Sequence, residues 1–439
     1  MKTIIIGGVA GGMSTAAKLK RELKDEQVVV YEKTNEVSYG ACGLPYFVSK
    51  ENTDINKMRI RSVEDFQKAG IDVRINHEVI DVNPDKKQVT VKHNDQTFVD
   101  NYDRLVIASG ASPIIPPIEG VDHPKVFQLK TLADGEALAK AGDDAQTVAI
   151  IGGGYIGLEV AEAFVTRNKK VIVIERLDHV LATFDVEFSL MIEEHLIEKG
   201  VELYLSQGVS KIHEKDNKLV LTTDTAEVMA DIVVMSVGVR PNTQFLKDTN
   251  IEMLPNGAIV SNEKMQTNIK DIYAVGDCST IVHAISKKPV FIPLGTNANK
   301  QGKVLAERFG GADKVFEQGL GSAMIKIIDR EVAKTGLSEK EAKDLNMDVI
   351  VNTISSYDRA GYYPNPTDIT IKVVVDKKSR VILGAQLFGE KNAALRLNPF
   401  VVAIDQKMTI DRFSLLDFGY APPFASTWDV MHIATSTIK

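Results

Sequence analysis

The thiol is the most reactive side chain that this 439-residue sequence offers, and only Cys42 and Cys278 carry one. Cys42 stands within Ser38-Tyr39-Gly40-Ala41-Cys42-Gly43-Leu44-Pro45-Tyr46. Gly43 and Pro45 predict a tight turn into a short helix over residues 44–49, which would place the sulfur near a helix N-terminus. Because free N–H groups there favour the thiolate, we predict that Cys42 is a nucleophile. The alternative is a buried structural cysteine, which is the commoner fate of an isolated thiol.

A glycine-rich turn near the N-terminus must position this thiol. An apolar strand over residues 2–6 precedes Gly7-Gly8-Val9-Ala10-Gly11-Gly12, a helical pattern over 13–23 and a strand over 27–31 that ends at Glu32. This order is the dinucleotide-binding fingerprint in its required context, with Val9 in place of the middle glycine. The glycines let the backbone approach a pyrophosphate, and Glu32 would accept hydrogen bonds from a ribose. Cys42 follows this acid by about ten residues, which favours a place beside the cofactor.

The same pattern recurs with the complete motif. A strand over 147–151 leads into Gly152-Gly153-Gly154-Tyr155-Ile156-Gly157, followed by a helical stretch over 158–168 and a strand over 170–174 that ends at Glu175. Two such folds predict two dinucleotides, most economically one flavin and one nicotinamide. A degenerate, purely structural repeat is the alternative for the Val9 copy.

Two apolar segments with small residues at their ends, 102–110 and 272–277, complete a pattern that resembles the pyridine nucleotide–disulfide oxidoreductase family of flavoproteins. The resemblance implies an α/β protein with two Rossmann-like dinucleotide-binding domains and a C-terminal α+β dimerisation domain. It implies FAD in a discontinuous domain over 1–116 and 241–318, NAD(P)H in an inserted domain over 117–240, and a homodimer built by residues 319–439. In the last region we predict strands over 323–328, 348–355, 370–375 and 381–387, and helices from residue 392.

The resemblance also implies the cofactor-binding residues. For FAD they are Gly7, Val9, Gly12, Glu32, Lys33, Val79, Ser109, Gly110, Gly276, Asp277, Leu294 and Tyr420. For NAD(P)H they are Gly152, Gly154, Tyr155, Ile156, Gly157, Glu175 and Gly238. Glu175 favours NADH because an acid there would repel a 2′-phosphate, whereas Arg176 and Arg167 leave NADPH open.

Residues 37–47 hold no second cysteine, so Cys42 has no partner for a local dithiol. The stretch resembles the single-cysteine branch that contains coenzyme A-disulfide and persulfide reductases. This implies that hydride passes from NAD(P)H to FAD and then to a Cys42–S–S–CoA mixed disulfide, with the Cys42 thiolate attacking the disulfide substrate. The alternative is an NADH oxidase or peroxidase that cycles Cys42 as a sulfenic acid. Those enzymes typically carry a histidine in the first glycine turn, where this chain has Ala10. A flavin-dependent sensor with negligible turnover is a further, less favoured alternative.

Coenzyme A is a polyanion, so its site requires cations and polar groups. The resemblance implies substrate binding by Ser14, Lys18, Arg21, Ser38, Arg61, Asn299 and Trp428, and it implies Tyr362 and Tyr420 as groups that protonate or stabilise a leaving thiolate. Lys18 and Arg21 share one helix face at a spacing of three residues. A solvated basic helix face would produce the same pattern. Cys278 is interpreted as a small buried residue rather than a redox group.

Composition limits the other classes of function. The net charge of −7 provides no basic footprint for nucleic acid, and no apolar run approaches the length of a membrane span. Two distant cysteines do not indicate a disulfide framework, which favours a cytoplasmic protein. We predict small-molecule partners and no metal site.

Overall fold

The computed structural model describes residues 1–317 and 319–438, so the predicted boundary at residue 318 and the final residue, 439, lie outside the described residues. The first segment alternates strands and helices before it reaches a small antiparallel meander. Its strands are β1 (Lys2–Ile6), β2 (Gln27–Tyr31), β3 (Asp72–Arg74), β4 (Glu78–Asn83), β5 (Gln88–His93), β6 (Gln96–Asn101), β7 (Arg104–Ile107) and β8 (Ala111–Pro113). Its helices are α1 (Ala10–Glu22), α2 (Leu44–Val48) and α3 (Val63–Lys68).

The middle segment repeats this plan. Its strands are β9 (Val126–Phe127), β10 (Thr147–Ile151), β11 (Lys170–Ile174), β12 (Glu202–Tyr204), β13 (Val209–Lys215), β14 (Lys218–Thr223), β15 (Glu227–Ala230), β16 (Ile232–Met235) and β17 (Val239–Pro241). Its helices are α4 (Leu132–Asp144), α5 (Tyr155–Val165) and α6 (Val186–Glu198). The chain then returns through β18 (Ile272–Ala274), β19 (Ile281–Val282), β20 (Pro289–Val290) and α7 (Gly295–Phe309).

The C-terminal segment is an antiparallel sheet with helices. Its strands are β21 (Ala323–Ile327), β22 (Arg330–Gly336), β23 (Val349–Tyr357), β24 (Asp368–Asp376) and β25 (Ile382–Gly389). Its helices are α8 (Glu339–Asp344), α9 (Leu397–Asp405), α10 (Ile410–Phe413) and α11 (Val430–Ser436).

Two five-stranded parallel sheets form the centres of the two dinucleotide units. The first has the order β18-β7-β1-β2-β3 and the second the order β12-β11-β10-β16-β9. Strands such as β1 and β10 are apolar runs because helices or a meander cover both faces of each sheet. The C-terminal sheet has the order β21-β22-β25-β24-β23. The predicted fold class is thereby confirmed.

Both motif helices begin earlier than the sequence predicted. α1 starts at Ala10 instead of residue 13, and α5 starts at Tyr155 instead of residue 158, so the glycines themselves belong to the first helical turns. α5 ends at Val165 instead of residue 168, because the chain reverses through Asn168 at φ +57°. Strand β22 was missed by the sequence analysis; its mostly polar sequence is buried by neighbouring elements.

A buried ion network joins the middle and C-terminal units. Lys372 on β24 is only 2% exposed, and its ammonium lies 3.0 Å from Asp185 and 2.7 Å from Glu339 and also pairs with Glu187. The carboxylates raise the pKa of Lys372 to about 12 against the opposing effect of burial. The three acids are thus held by a lysine. Within residues 1–317 and 319–438, no helix combines the length and the apolar character needed to cross a membrane.

Candidate active site

The first glycine turn is bound to Glu32 at the end of β2. The Glu32 carboxylate is buried and accepts a hydrogen bond from the Gly8 N–H at 2.6 Å and another from the Thr34 N–H at 2.8 Å. A Cβ on Gly12 would lie 1.9 Å from the Gly7 carbonyl oxygen, so only glycine permits this close packing of α1 on β1. No side chain caps α1, which leaves its first N–H groups directed at the place where a pyrophosphate would bind.

The second turn repeats this geometry. Glu175 accepts a hydrogen bond from the Gly153 N–H at 2.6 Å and another from the Leu177 N–H at 2.8 Å. A Cβ on Gly157 would lie 2.0 Å from the Gly152 oxygen, whereas a Cβ on Gly154 would meet nothing within 4 Å. The space above Gly154, at the uncapped start of α5, fits a second dinucleotide.

A narrow crossing connects the two units. Strands β8 and β17 pair as an antiparallel ribbon, which Asn242 secures by donating a hydrogen bond from Nδ2 to the Ser109 carbonyl at 2.9 Å. Gly238, predicted to lie at this crossing, has φ +107°. On the return path the Gly276 N–H donates to Gln301 at 2.8 Å, beside the half-buried Asp277.

Cys42 lies in a 3₁₀ turn, Ala41–Gly43, directly before α2. Its side chain is exposed, as a nucleophile requires. Although solvent reaches the sulfur, the protein atoms packed around it desolvate the thiolate and so raise the pKa of the thiol; the charges of Glu159 and Asp277 raise this pKa further, while Lys130 and a backbone hydrogen bond at Cys42 lower it. The chain's own groups therefore oppose the thiolate. The thiol lies in the turn directly before α2, as predicted, but burial and the two carboxylates outweigh the effects that lower the pKa, so the net shift is upward and the predicted benefit from the helix N-terminus stays a prediction.

Glu159 is a site residue that the sequence analysis missed. It lies on α5, and burial, followed by the charge of Glu162, raises its pKa to about 7. The detectable signal was two acids, three residues apart, inside the otherwise apolar helix that follows the second glycine motif. Lys130, two residues before the start of α4, was also missed because no local sequence pattern marks it.

Cys278 cannot serve as a second redox thiol in this arrangement. Its side chain is completely buried, and its sulfur lies 3.4 Å from the carbonyl oxygens of Ile107 and Val275. Burial raises its pKa to about 11. The interpretation as a small buried residue is confirmed.

The two predicted tyrosines meet each other. The hydroxyls of Tyr362 and Tyr420 are 2.6 Å apart, and both side chains are exposed on the C-terminal unit. This hydrogen bond raises the pKa of Tyr420. Trp428 is also exposed there and contacts the His432 ring edge-on, with the ring centroids 5.9 Å apart. Their roles toward a substrate and the flavin remain predictions.

Two of the predicted substrate residues meet between α1 and α7. The Ser14 hydroxyl donates to Asn299 Oδ1 at 2.6 Å. Lys18, which we predicted to bind the substrate, is paired with Glu22 at 2.7 Å and with Glu307 at 3.0 Å, and these carboxylates neutralise its charge. Arg21 is exposed on the same helix.

The remaining predicted residues differ in conformation, contacts and exposure. Ser38 adopts φ +49°, and the Arg61 guanidinium lies 4.1 Å from the centroid of the Phe66 ring. Leu294 is the N-cap residue of α7. Lys33 and Ile156 are exposed, Val79 is buried, and Tyr155 and Gly110 are partly buried. The individual binding roles of these residues stay predictions.

Two dinucleotide folds with one accessible thiol beside them define a two-cofactor oxidoreductase. Comparison with protein-family models supports this class: residues 1–302 match the pyridine nucleotide-disulphide oxidoreductase model, and residues 322–432 match the dimerisation domain of that family. The chain belongs to the pyridine nucleotide-disulphide oxidoreductase family. The predictions of an FAD- and NAD(P)H-dependent oxidoreductase are confirmed, and the dimerisation domain supports the predicted homodimer.

Three similar proteins illustrate the range within the family. A CoA-dependent NAD(P)H sulfur oxidoreductase of Pyrococcus abyssi is 36% identical over 99% of this chain and 98% of its own length. A coenzyme A disulfide reductase of Staphylococcus epidermidis is 29% identical over 98% of each chain. The structure of a water-forming NADH oxidase from Lactobacillus brevis, bound to NADH, superposes with a TM-score of 0.96 at 30% identity, covering 99% of this chain and 97% of that one.

Proposed function

We propose that this protein is an NAD(P)H-dependent reductase of coenzyme A disulfide or coenzyme A persulfide. The observation that carries the proposal is the isolation of Cys42: it is exposed, and the only other thiol of the chain is completely buried and contacts backbone carbonyls. A disulfide at Cys42 therefore requires a thiol from outside the chain. The similarity to relatives that are named for coenzyme A supports coenzyme A as this thiol.

In the proposed cycle the resting enzyme carries Cys42 as a mixed disulfide with coenzyme A. Cleavage of this disulfide by the two electrons that bound FAD would relay from NAD(P)H releases one coenzyme A thiol and leaves Cys42 as a thiolate. The thiolate attacks the disulfide substrate, displaces a second coenzyme A thiolate and restores the mixed disulfide. With coenzyme A disulfide as substrate, the net reaction consumes one NAD(P)H and one proton and releases two coenzyme A thiols. Tyr420, hydrogen-bonded to Tyr362, would protonate or stabilise the leaving thiolate.

The polar residues between α1 and α7 would bind the nucleotide part of the substrate. Arg21 supplies the exposed cation, and the Ser14–Asn299 pair lies on the same side of α1. Because Lys18 is already neutralised by two carboxylates, it contributes less to this site than Arg21.

The test is the intact mass of the purified, unreduced protein in denaturing conditions. We expect the mass of one coenzyme A in addition to the chain, removable with dithiothreitol and absent from Cys42→Ser. The Cys42→Ser variant should retain flavin and lose disulfide turnover; full turnover would refute the role of Cys42. Cys278→Ser serves as the matched control and should keep the adduct.

The second candidate is an NADH oxidase or peroxidase, supported by the similarity to the NADH oxidase structure. It predicts oxygen atoms on Cys42 in place of coenzyme A. NADH consumption with oxygen or peroxide would then far exceed consumption with coenzyme A disulfide.

A further inference from the structure

The helix that follows Cys42 packs into the nicotinamide unit. Leu44 and Val48 belong to one buried cluster with Leu138 of α4, Leu158 and Phe164 of α5, and Ile325 and Val332 of the C-terminal sheet. The contact is close enough that a Cβ on Gly135 of α4 would lie 2.6 Å from Leu44 Cδ2. The position of Cys42 is therefore set by contacts outside its own unit.

Polar contacts hold the C-terminal end of α2. Arg167 donates a hydrogen bond from Nη1 to the Val48 carbonyl at 3.0 Å, and its Nη2 lies 2.7 Å from Asp143. Lys50 pairs with the same Asp143 carboxylate. These contacts bind the end of α2 to α4 and to the turn after α5.

Lys326 on β21 connects this helix to the other two units. Its ammonium lies 2.8 Å from Glu162 Oε1 on α5 and 3.0 Å from Glu51 Oε1, just beyond α2. It also lies 5.8 Å from the centroid of the Tyr46 ring. Glu162 is only 4% exposed, and its other oxygen accepts the Ile328 N–H at 3.0 Å. One lysine thus contacts the segment after Cys42, the helix of the second glycine motif and the C-terminal sheet.

We propose that Lys326 is a positioning residue for Cys42. A buried carboxylate such as Glu162 requires a counter-charge, which fixes the lysine head group on α5. The fixed ammonium then holds Glu51 and the Tyr46 ring, and with them α2, in one orientation. α5 also begins at the nicotinamide turn and carries Glu159, so Lys326 aligns the thiol with the groups that act on it. The inference rests on the proposed function in that Cys42 is the reactive group.

The experiment compares Lys326→Met with Lys326→Arg in the holoenzyme. Lys199→Met is the matched control, because Lys199 pairs at 2.6 Å with Asp329 on the same β21–β22 hairpin but reaches it from the C-cap of α6. The first readout is hydrogen exchange of the backbone amides of residues 44–51, which needs no turnover. The second is the division of any loss between kcat and KM for NADH and for coenzyme A disulfide.

We expect Lys326→Met to increase exchange across residues 44–51 and to lower kcat by on the order of tenfold to a hundredfold, with KM for NADH unchanged. Lys326→Arg should restore both properties, and Lys199→Met should alter neither. Wild-type exchange in Lys326→Met, or an equal effect of Lys199→Met, would overturn the proposal.

A second variant covers the case in which Lys326→Met does not fold. Glu51→Gln removes the ion pair between Lys326 and the segment after α2 and leaves the buried pair of Lys326 with Glu162 intact. We expect faster hydrogen exchange in residues 44–51. Unchanged exchange would refute the positioning role of Lys326. A failure of the proposed function is recognised by a separate result, full disulfide turnover by Cys42→Ser. That measurement is independent of the hydrogen exchange measured in the Lys326 variants.

Discussion

Glu159→Gln should stabilise the protein in a pH-dependent manner. Glu159 is half-buried on α5 and makes no ion pair or hydrogen bond within the described part of the chain. Burial, with the nearby charge of Glu162, raises its pKa from the ordinary 4.5 to about 7. Between these values the folded protein binds more protons than the unfolded chain, so stability falls as the pH rises through this window. Above pH 7 the carboxylate is ionised in both states, and its burial then destabilises the folded state by the full amount.

The magnitude follows from the same two values. One pKa unit corresponds to about 1.4 kcal/mol, so the ionised carboxylate destabilises the fold by about 3 kcal/mol at pH 8.5. At pH 5 the penalty is about 1 kcal/mol, because most folded molecules hold the proton. Glutamine removes the charge and keeps the shape. Its gain in unfolding free energy should therefore increase by about 2 kcal/mol between the two pH values.

Urea unfolding of the holoenzyme at pH 5 and pH 8.5 measures this difference, with the exposed Glu194→Gln on α6 as the control. A gain that is equal at both pH values would refute the reasoning. A second readout is alkylation of Cys42 in the reduced enzyme by iodoacetamide. Because the charge of Glu159 raises the pKa of the thiol, the variant should react faster above pH 7.

Three further variants test other parts of the structure. Gly157→Ala places a Cβ 2.0 Å from the Gly152 oxygen, so we expect loss of NADH binding with flavin content retained; a wild-type dissociation constant for NADH would contradict this. Glu175→Ala removes the acceptor of the Gly153 N–H and the acid that we predict to favour NADH, so the ratio of kcat/KM for NADPH to that for NADH should rise on the order of tenfold. An unchanged ratio would show that this acid does not select the cofactor. Lys372→Met leaves three carboxylates without their buried counter-charge and should cost about 3–5 kcal/mol in urea unfolding; a loss below about 1 kcal/mol would contradict the ion network.

The two dinucleotide folds were predictable because their signals are local. Each consists of a β-branched strand, a turn that only glycine can form and an acid at the end of the next strand. In the structure, Glu32 and Glu175 accept hydrogen bonds from equivalent turns at the same distance of 2.6 Å. Helix starts were predicted three residues late, because helical dihedrals extend into glycines that sequence patterns assign to the turn.

The exposure of Cys42 and the burial of Cys278 agree with the roles that the sequence predicted for them. The charges around the Cys42 thiol could not be predicted from the sequence. They belong to Glu159, Asp277 and Lys130, which are distant in the chain and meet only through packing of separate units. Likewise, the pairing of Lys18 with Glu307 requires α1 to lie against α7. The sequence by itself therefore determined the cofactor folds and the candidate nucleophile, since those depend on local spacing. The tertiary structure decided which charges act on that nucleophile and which residues hold its helix in place, because electrostatics and packing depend on distances between remote segments.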